Sequence, residues 1–490
     1  MKNRLLFVAI YLLFTTSLIY SINKDNSVRI IGNNIEYASY HIEIKTKENL
    51  YLYKEKVLGS MFVDSTGNFD FILPLEKTTY AYMDIGRLRG EIYLEPGKEY
   101  QLLLPPFVKK EDYEMHNPFF QPDVMPLGIL NRESQNLNRQ MFEFDDCYEN
   151  LFVANINEIA FHRNQKKVEE IIDSLESKFV DEHPFFVQHK KLSYLKLRTI
   201  CSPKNEEELI KEYFLDKEWE MNLPIYTDLF ILLFKNYFPN KLNKDVQREM
   251  LNAFRSGASF DEFVEIIMRD DIFKENRELA EAFFLYSLYQ GFYNQTMDEN
   301  VVIYLSEDGT NGENSTFGKE LAFAQYKQLT HMRQGYVAPS FSLFNQNGEK
   351  KSLEDYKGKF IYLNFMNTIN VASLRDMETL KNLQKLFRKD LEIVTILLDE
   401  SEEALEDFYH YNNDKKWDFL SFISYPQIIH EYNLVGVPSY FLISPDGILT
   451  LSPAPTPDEN FRDVFVTQLQ AYKRMQLRKG KGETKSIFGR

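Results

Sequence analysis

Cysteine is nearly missing from this chain: there are two among 490 residues, Cys147 and Cys201, and neither belongs to a Cys-x-x-Cys or stands beside a helix-start signal. A dithiol centre built on them has no motif to start from, which leaves either one structural disulfide or two separately buried thiols. Metal spacings are missing too. The eight histidines, His41, His116, His162, His183, His189, His331, His410 and His430, form no HExxH and no Cys/His pattern, and His183 and His189, six apart, fall off a common helical face. With no G-x-S-x-G, Walker loop or G-x-G-x-x-G, hydrolase and nucleotide-enzyme chemistry lack a starting point, and neither a metal nor a cofactor is expected. Basic charge is in deficit, 57 Lys and Arg against 73 Asp and Glu for a net −16, which excludes nonspecific nucleic-acid binding. Long apolar runs are absent beyond the N-terminus, so no membrane span is expected in the mature chain.

The N-terminus has its own pattern. Lys2 and Arg4 precede an apolar run from Leu5 to Ile19, too short for a span, and Ser21 supplies a small residue near a cleavage point. Residues 1–21 are expected to be a signal peptide, the alternative being an uncleaved anchor. Removing Lys2 and Arg4 leaves the mature chain more acidic still.

A chain of this length suggests several cores, and the apolar period divides it. Across residues 22–106 the pattern is short and alternating, with expected strands at Val28–Ile31, His41–Ile44, Leu50–Tyr53, Asn68–Leu73, Tyr80–Asp84, Glu91–Leu94 and Tyr100–Leu104. Turn residues such as Ser65-Thr66-Gly67 and Glu95-Pro96-Gly97 separate them, as in a small β-sandwich. Across 107–334 the period changes to three and four, in Lys167–Phe179, Pro224–Tyr237, Asp245–Phe254 and Leu279–Tyr293, which predicts a helical domain whose Phe, Tyr and Leu residues form its core. The acidic stretch from Ser306 to Ser315 misses the EF-hand spacing and is expected to be a loop. Glu402-Glu403 and Glu406-Asp407 belong to the solvated face of an expected helix. Residues 473–490, with Lys473, Arg474, Arg478, Lys479 and Lys481, read as a solvated basic tail.

Residues 335–472 carry a resemblance. Val337-Ala338-Pro339-Ser340-Phe341-Ser342-Leu343, Asn347-Gly348, and Ser352-Leu353 through Lys357-Gly358-Lys359 resemble the opening of exported TlpA-like thioredoxin proteins. In that register Phe365 falls on the family's strand-end aromatic, Met366 on its tryptophan, Asn370 and Ser373 on its two cysteines, and Met377 on the helix position after them. Glu392–Asp399 reads as the next strand, and Gly436-Val437-Pro438-Ser439 through Asp446-Gly447 resembles the family's cis-proline strand and hairpin. The resemblance implies an α/β thioredoxin-like fold and a cis Val437–Pro438 peptide. The phrases Asp64–Phe69 and Tyr93–Lys98 likewise resemble the β-sandwich often fused ahead of such modules.

The resemblance also locates what is gone. Where the family places Cys-x-x-Cys at a helix start, this chain has Asn370-Val371-Ala372-Ser373, and neither an amide nor an unactivated hydroxyl can exchange with a disulfide. Ser373 has no neighbouring histidine to act as its base. What the resemblance leaves is a peptide groove of Met366, Asn367, Thr368, Ile369 and Asn370 facing Val437 and Pro438, suited to strand addition by an exported polypeptide. A redox-silent periplasmic or cell-envelope binding protein is the first expectation. A thiol oxidoreductase using Cys147 or Cys201 is the second, and a module with only a structural role the third.

Overall fold

The computed structural model describes residues 26–48, 50–52, 54–110, 120–202, 206–215, 219–399 and 402–479. The expected signal peptide at 1–21, His116 and Lys481 lie outside the described residues. The described elements fall into two compact units, one up to Gln328 and one from Leu329 onward.

The first unit opens with β1 (Ser27–Asn33), β2 (His41–Glu48), β3 (Lys54–Phe62), β4 (Asn68–Pro74), β5 (Thr79–Ile85), β6 (Leu88–Leu94), β7 (Glu99–Leu103), β8 (Asp123–Pro126) and β9 (Gly128–Ile129). They form a sheet ordered β4-β1-β7-β9 and another ordered β3-β2-β5-β6-β8. Alternation decides what each sheet buries: Val28, Ile30, Phe69, Tyr100 and Leu102 from the first share one core with Ile42, Ile44, Met61, Ala81, Met83 and Ile92 from the second. The β-sandwich is present, but residues 50–52 of the expected strand Leu50–Tyr53 are not in a strand, and Tyr53 lies outside the described residues. Residues 50–52 form a bend whose side chains are buried, and the Tyr51 hydroxyl donates to Gln325 Oε1 at 2.6 Å. The strand there is β3, KEKVLGSMF, whose lysines and exposed Val57 and Phe62 mask its alternation.

The helices of this unit include α1 (Arg132–Ala154), α2 (Gln165–Lys178), α3 (Pro184–Cys201), α4 (Glu206–Phe214), α5 (Pro224–Phe234), α6 (Tyr237–Asn240), α7 (Lys244–Ser256), α8 (Phe260–Ile267), α9 (Arg277–Tyr293), α10 (Glu299–Asp308) and α11 (Thr316–Thr330). The helical expectations hold within a few residues, except that Pro224–Tyr237 stops at Phe234 and that Ser306, Glu307 and Asp308 finish α10 rather than open a loop. Sheet and helices share a compact unit for a visible reason. The second sheet turns Tyr80, Tyr82 and Tyr93 outward onto Leu137, Met141 and Phe144 of α1. Asn138 on that helix accepts from the Tyr93 amide at 2.7 Å and donates to its carbonyl at 2.8 Å, matching a buried side-chain amide to a strand backbone.

The second unit is a sheet ordered β11-β10-β14-β13-β12-β15-β16, built from β10 (Ser342–Asn345), β11 (Lys350–Ser352), β12 (Phe360–Met366), β13 (Leu391–Leu397), β14 (Asp418–Ser421), β15 (Ser439–Ile443) and β16 (Leu449–Leu451). The helices α12 (Val371–Phe387), α13 (Glu402–Tyr411), α14 (Ile428–Glu431) and α15 (Phe461–Lys479) accompany it. Strand β12 is buried along its whole length because both faces are covered. Phe360, Tyr362 and Met366 join Met377, Leu380, Phe461 and Phe465 of the helices, while Ile361, Leu363 and Phe365 join Phe341, Ile428 and Tyr432. The stretch expected to begin the basic tail is the end of α15, where Lys473 pairs with Asp390 at 2.8 Å.

Candidate functional site

Strand β12 runs parallel to β13 and antiparallel to β15, and this register brings the start of α12 beside the loop before β15. The chain leaves β12 at Met366 and crosses to α12 in four residues. Asp399, just past the end of β13, holds that crossing: its carboxylate accepts from the Thr368 amide at 2.9 Å and the Thr368 hydroxyl at 2.7 Å. Asn370 then caps the helix, its Oδ1 accepting from the Ser373 amide at 3.0 Å and the Ser373 hydroxyl at 3.2 Å. Its Nδ2 donates across to the Val437 carbonyl at 3.4 Å. The Val437–Pro438 peptide is cis, and so is Ser452–Pro453.

The residues expected to form the groove divide. Asn370, Val437 and Pro438 meet, with Val437 and Pro438 part-buried. Ile369 is 82% exposed, and beside it in sequence Val371 is 71% exposed. Thr368 and Asn367 are half-buried, the first tied to Asp399 and the second with an Oδ1 that lacks a hydrogen-bond partner. Met366 does not line a groove. It is fully buried in the core, because the period-two pattern of β12 turns it toward Met377 and Leu380. Ser373 is also buried, on the inward face of α12.

Two residues that sequence reasoning passed over lie beneath this surface. Asp376 is buried one turn after Ser373 and accepts the Tyr440 hydroxyl at 2.6 Å. Burial pushes its carboxyl above the usual range, against the pull of that hydrogen bond. Burial and the adjacent Asp376 likewise raise Tyr440. On β12, directly opposite Tyr440, Asn364 is buried and accepts the Thr395 hydroxyl at 2.6 Å; that hydroxyl in turn accepts from the Trp417 indole at 3.0 Å. The signal for Asp376 was present as a carboxylate in the apolar stripe of Ser373, Met377 and Leu380.

The two cysteines lie elsewhere. Both are free: Cys147 on α1 is half-buried, and Cys201, the last residue of α3, is buried within the cluster against which Cys147 packs. Burial raises the Cys201 thiol. Among the described residues no group of acidic, histidine and cysteine side chains is placed to hold a metal, and no helix is long and apolar enough to cross a membrane.

Residues 358–449 match a family model described as thioredoxin-like. The thioredoxin-like protein YneN of Bacillus subtilis is 28% identical over 123 residues, which cover 25% of this chain and 72% of that protein. The thiol-disulfide oxidoreductase ResA of Bacillus thuringiensis is 30% identical over 120 residues, 24% of this chain and 66% of its own length, so the match spans just under two thirds of that relative. A crystal structure of the thioredoxin domain of a thiol-disulfide oxidoreductase from Bacteroides vulgatus aligns with 27% of this chain and 96% of its own at 23% identity, with a TM-score of 0.24. The C-terminal unit of this protein, with its mixed sheet, its helix-start turn at Asn370 and its cis-proline loop, is a thioredoxin-like domain similar to those of the TlpA/ResA type.

Proposed function

We propose that this thioredoxin-like domain is redox-silent and binds an extended segment of another polypeptide along Val437 and Pro438. The observation that carries the reading is the occupation of Asn370 and Ser373: the two positions matched to cysteines hydrogen-bond to each other, and Asn370 also donates to the Val437 carbonyl. A side-chain amide and a hydroxyl supply no thiolate to attack a disulfide. Exposed Ile369 and Val371 flank in sequence the Asn370 that reaches the cis-proline loop, an apolar surface that suits a side-chain contact beside a main-chain one. The signal-like N-terminus and the likeness to TlpA-type proteins support a place in the periplasm or cell envelope.

The oxidoreductase names of the ResA relatives favour a second reading, in which Cys147 or Cys201 supplies a thiol. Burial of Cys201 and the upward shift of its thiol weigh against it, because the thiolate is the species that attacks. Reduction of a small disulfide-bonded protein by the purified chain separates the two. Silence in the wild type, with activity gained by Asn370→Cys/Ser373→Cys, supports the proposal. Activity in the wild type that Cys147→Ser/Cys201→Ser abolishes overturns it.

A further inference from the structure

The helical region holds a cleft of about 630 Å³ that the thioredoxin-like domain does not account for. It opens between α6, α7, α9 and the turn leading into α10. One wall is apolar: Phe238, Pro239, Leu251, Phe254, Met297 and Val301. Leu251 and Val301 remain 53% and 39% exposed, so apolar surface stands open to solvent at its mouth. The floor depends on Gly291, where an added Cβ would lie 2.5 Å from the Met297 sulfur; glycine lets Met297 fold against α9.

The remaining lining is polar. Lys235 and Asn236, at the end of α5, and Asn294, just beyond α9, share the cleft with Ser287, Gln290, Thr296 and Asp298. Most of that second group is already engaged. Ser287 donates to the Phe283 carbonyl, Gln290 donates to the Tyr286 hydroxyl, and the Asp298 carboxylate caps α10 by accepting from the Asn300 and Val301 amides. Among the described residues, the side chains of Lys235, Asn236 and Asn294 make no hydrogen bond or ion pair with another protein group. The cleft therefore joins an apolar wall to an ammonium and two amides with N–H groups to offer, while its one carboxylate is turned to backbone amides. This size and composition fit a small ligand rather than a polypeptide face.

We propose that this cleft binds a small anionic amphiphile, its apolar body against Phe238, Leu251, Phe254 and Val301 and its anionic head at Lys235. The charge of the ligand follows from complementarity: in a chain of net charge −16, an ammonium without an acidic partner beside an apolar wall selects a carboxylate-type head over a cationic one.

Dodecanoate, dodecanol and dodecyltrimethylammonium, titrated calorimetrically into the full chain below their aggregation concentrations, test the proposal. Saturable one-to-one binding of dodecanoate is expected, weakened about fivefold by Lys235→Gln, as for an exposed charge contact. Dodecanol should bind independently of that change, and the cationic amphiphile more weakly than either. Val301→Trp, which fills the mouth from an exposed position, should abolish binding of all three. No saturable binding of dodecanoate would overturn the proposal, as would equal affinity in the wild type and both variants. Circular dichroism of each variant establishes that the fold is retained.

Discussion

The side chain of Asn370 reaches the carbonyl of Val437, with Nδ2 and O 3.4 Å apart, while its Oδ1 caps α12 at the Ser373 amide. One residue thus ties the start of the helix to the loop before β15, at a position that the TlpA-type resemblance assigns to a cysteine. The side chain thereby uses two backbone partners, the helix N-terminus and the cis-proline loop, to hold the turn in place.

Removing that side chain tests the cap. Asn370→Ala should cost about 1 kcal/mol, the usual worth of an N-cap. Hydrogen exchange at the Ser373 amide should accelerate accordingly. Asn370→Asp keeps an acceptor for Ser373 and adds a charge favoured by the helix dipole, so Ser373 protection should survive. If the aspartate variant loses as much protection as the alanine one, the bond to Val437, and not the cap, holds the turn.

A second prediction concerns the buried bend at 50–52. Tyr51 donates to Gln325, whose own amide donates to Ser306, whose hydroxyl donates to the Val302 carbonyl, so each donor in the chain is matched. Tyr51→Phe leaves Gln325 Oε1 buried without that donor and should cost about 1–3 kcal/mol in denaturant unfolding. A cost near zero would mean that water replaces the hydroxyl.

Much of this architecture could be read from the sequence, and the reasons for the exceptions are physical. The end of strand β12 was legible because the resemblance sets Phe365 on a strand-end aromatic, and the Val437–Pro438 loop because its flanking residues follow the resemblance closely. Strand β3 was hidden because three of its first residues are charged, and Leu50–Tyr53 looked like a strand because three buried apolar side chains in a row do not reveal whether a sheet or a helix core covers them. Met366 was assigned to the groove by alignment alone, whereas the alternation of β12 sends it inward. Asp376 escaped because a carboxylate in an apolar stripe signals burial without naming its partner, and Tyr440 lies 64 residues away.

The cysteines make a third test. Iodoacetamide should alkylate the half-buried Cys147 ahead of Cys201, whose thiol is buried and shifted away from the thiolate. Mass spectrometry of partly labelled native chain reads the order directly. Faster labelling of Cys201 would reopen the thiol reading of function.

Within the helical region, Glu281 is fully buried, accepts from the Ser315 amide and hydroxyl at the start of α11, and pairs with Arg277 at 3.1 Å. A Cβ added at Gly318 would lie 2.1 Å from Glu281 Oε2, an atom these partners hold in place. Gly318→Ala should therefore destabilise by about 2 kcal/mol. In a Glu281→Ala background the clash is gone, and the same change should be neutral or slightly favourable, giving a coupling of about 2 kcal/mol in a double-mutant cycle. Additive effects would mean that Glu281 moves aside freely.

The carboxyl of Asp376 makes stability depend on pH in a direction opposite to that of an ion-paired acid. Burial raises it above its ordinary value of 3.8, so between that value and the raised one the folded chain binds more protons than the unfolded chain. Stability from this group therefore falls as pH climbs through that window, and the penalty stands in full above it. Asp376→Asn keeps an acceptor for the Tyr440 hydroxyl and carries no charge. The stability of the variant relative to the wild type should thus rise with pH across the window and then level off, as read from denaturant midpoints taken at a series of pH values. A difference that stays constant across the series would show that Asp376 ionises in the folded chain as readily as in the unfolded one, and that Tyr440 fully offsets its burial.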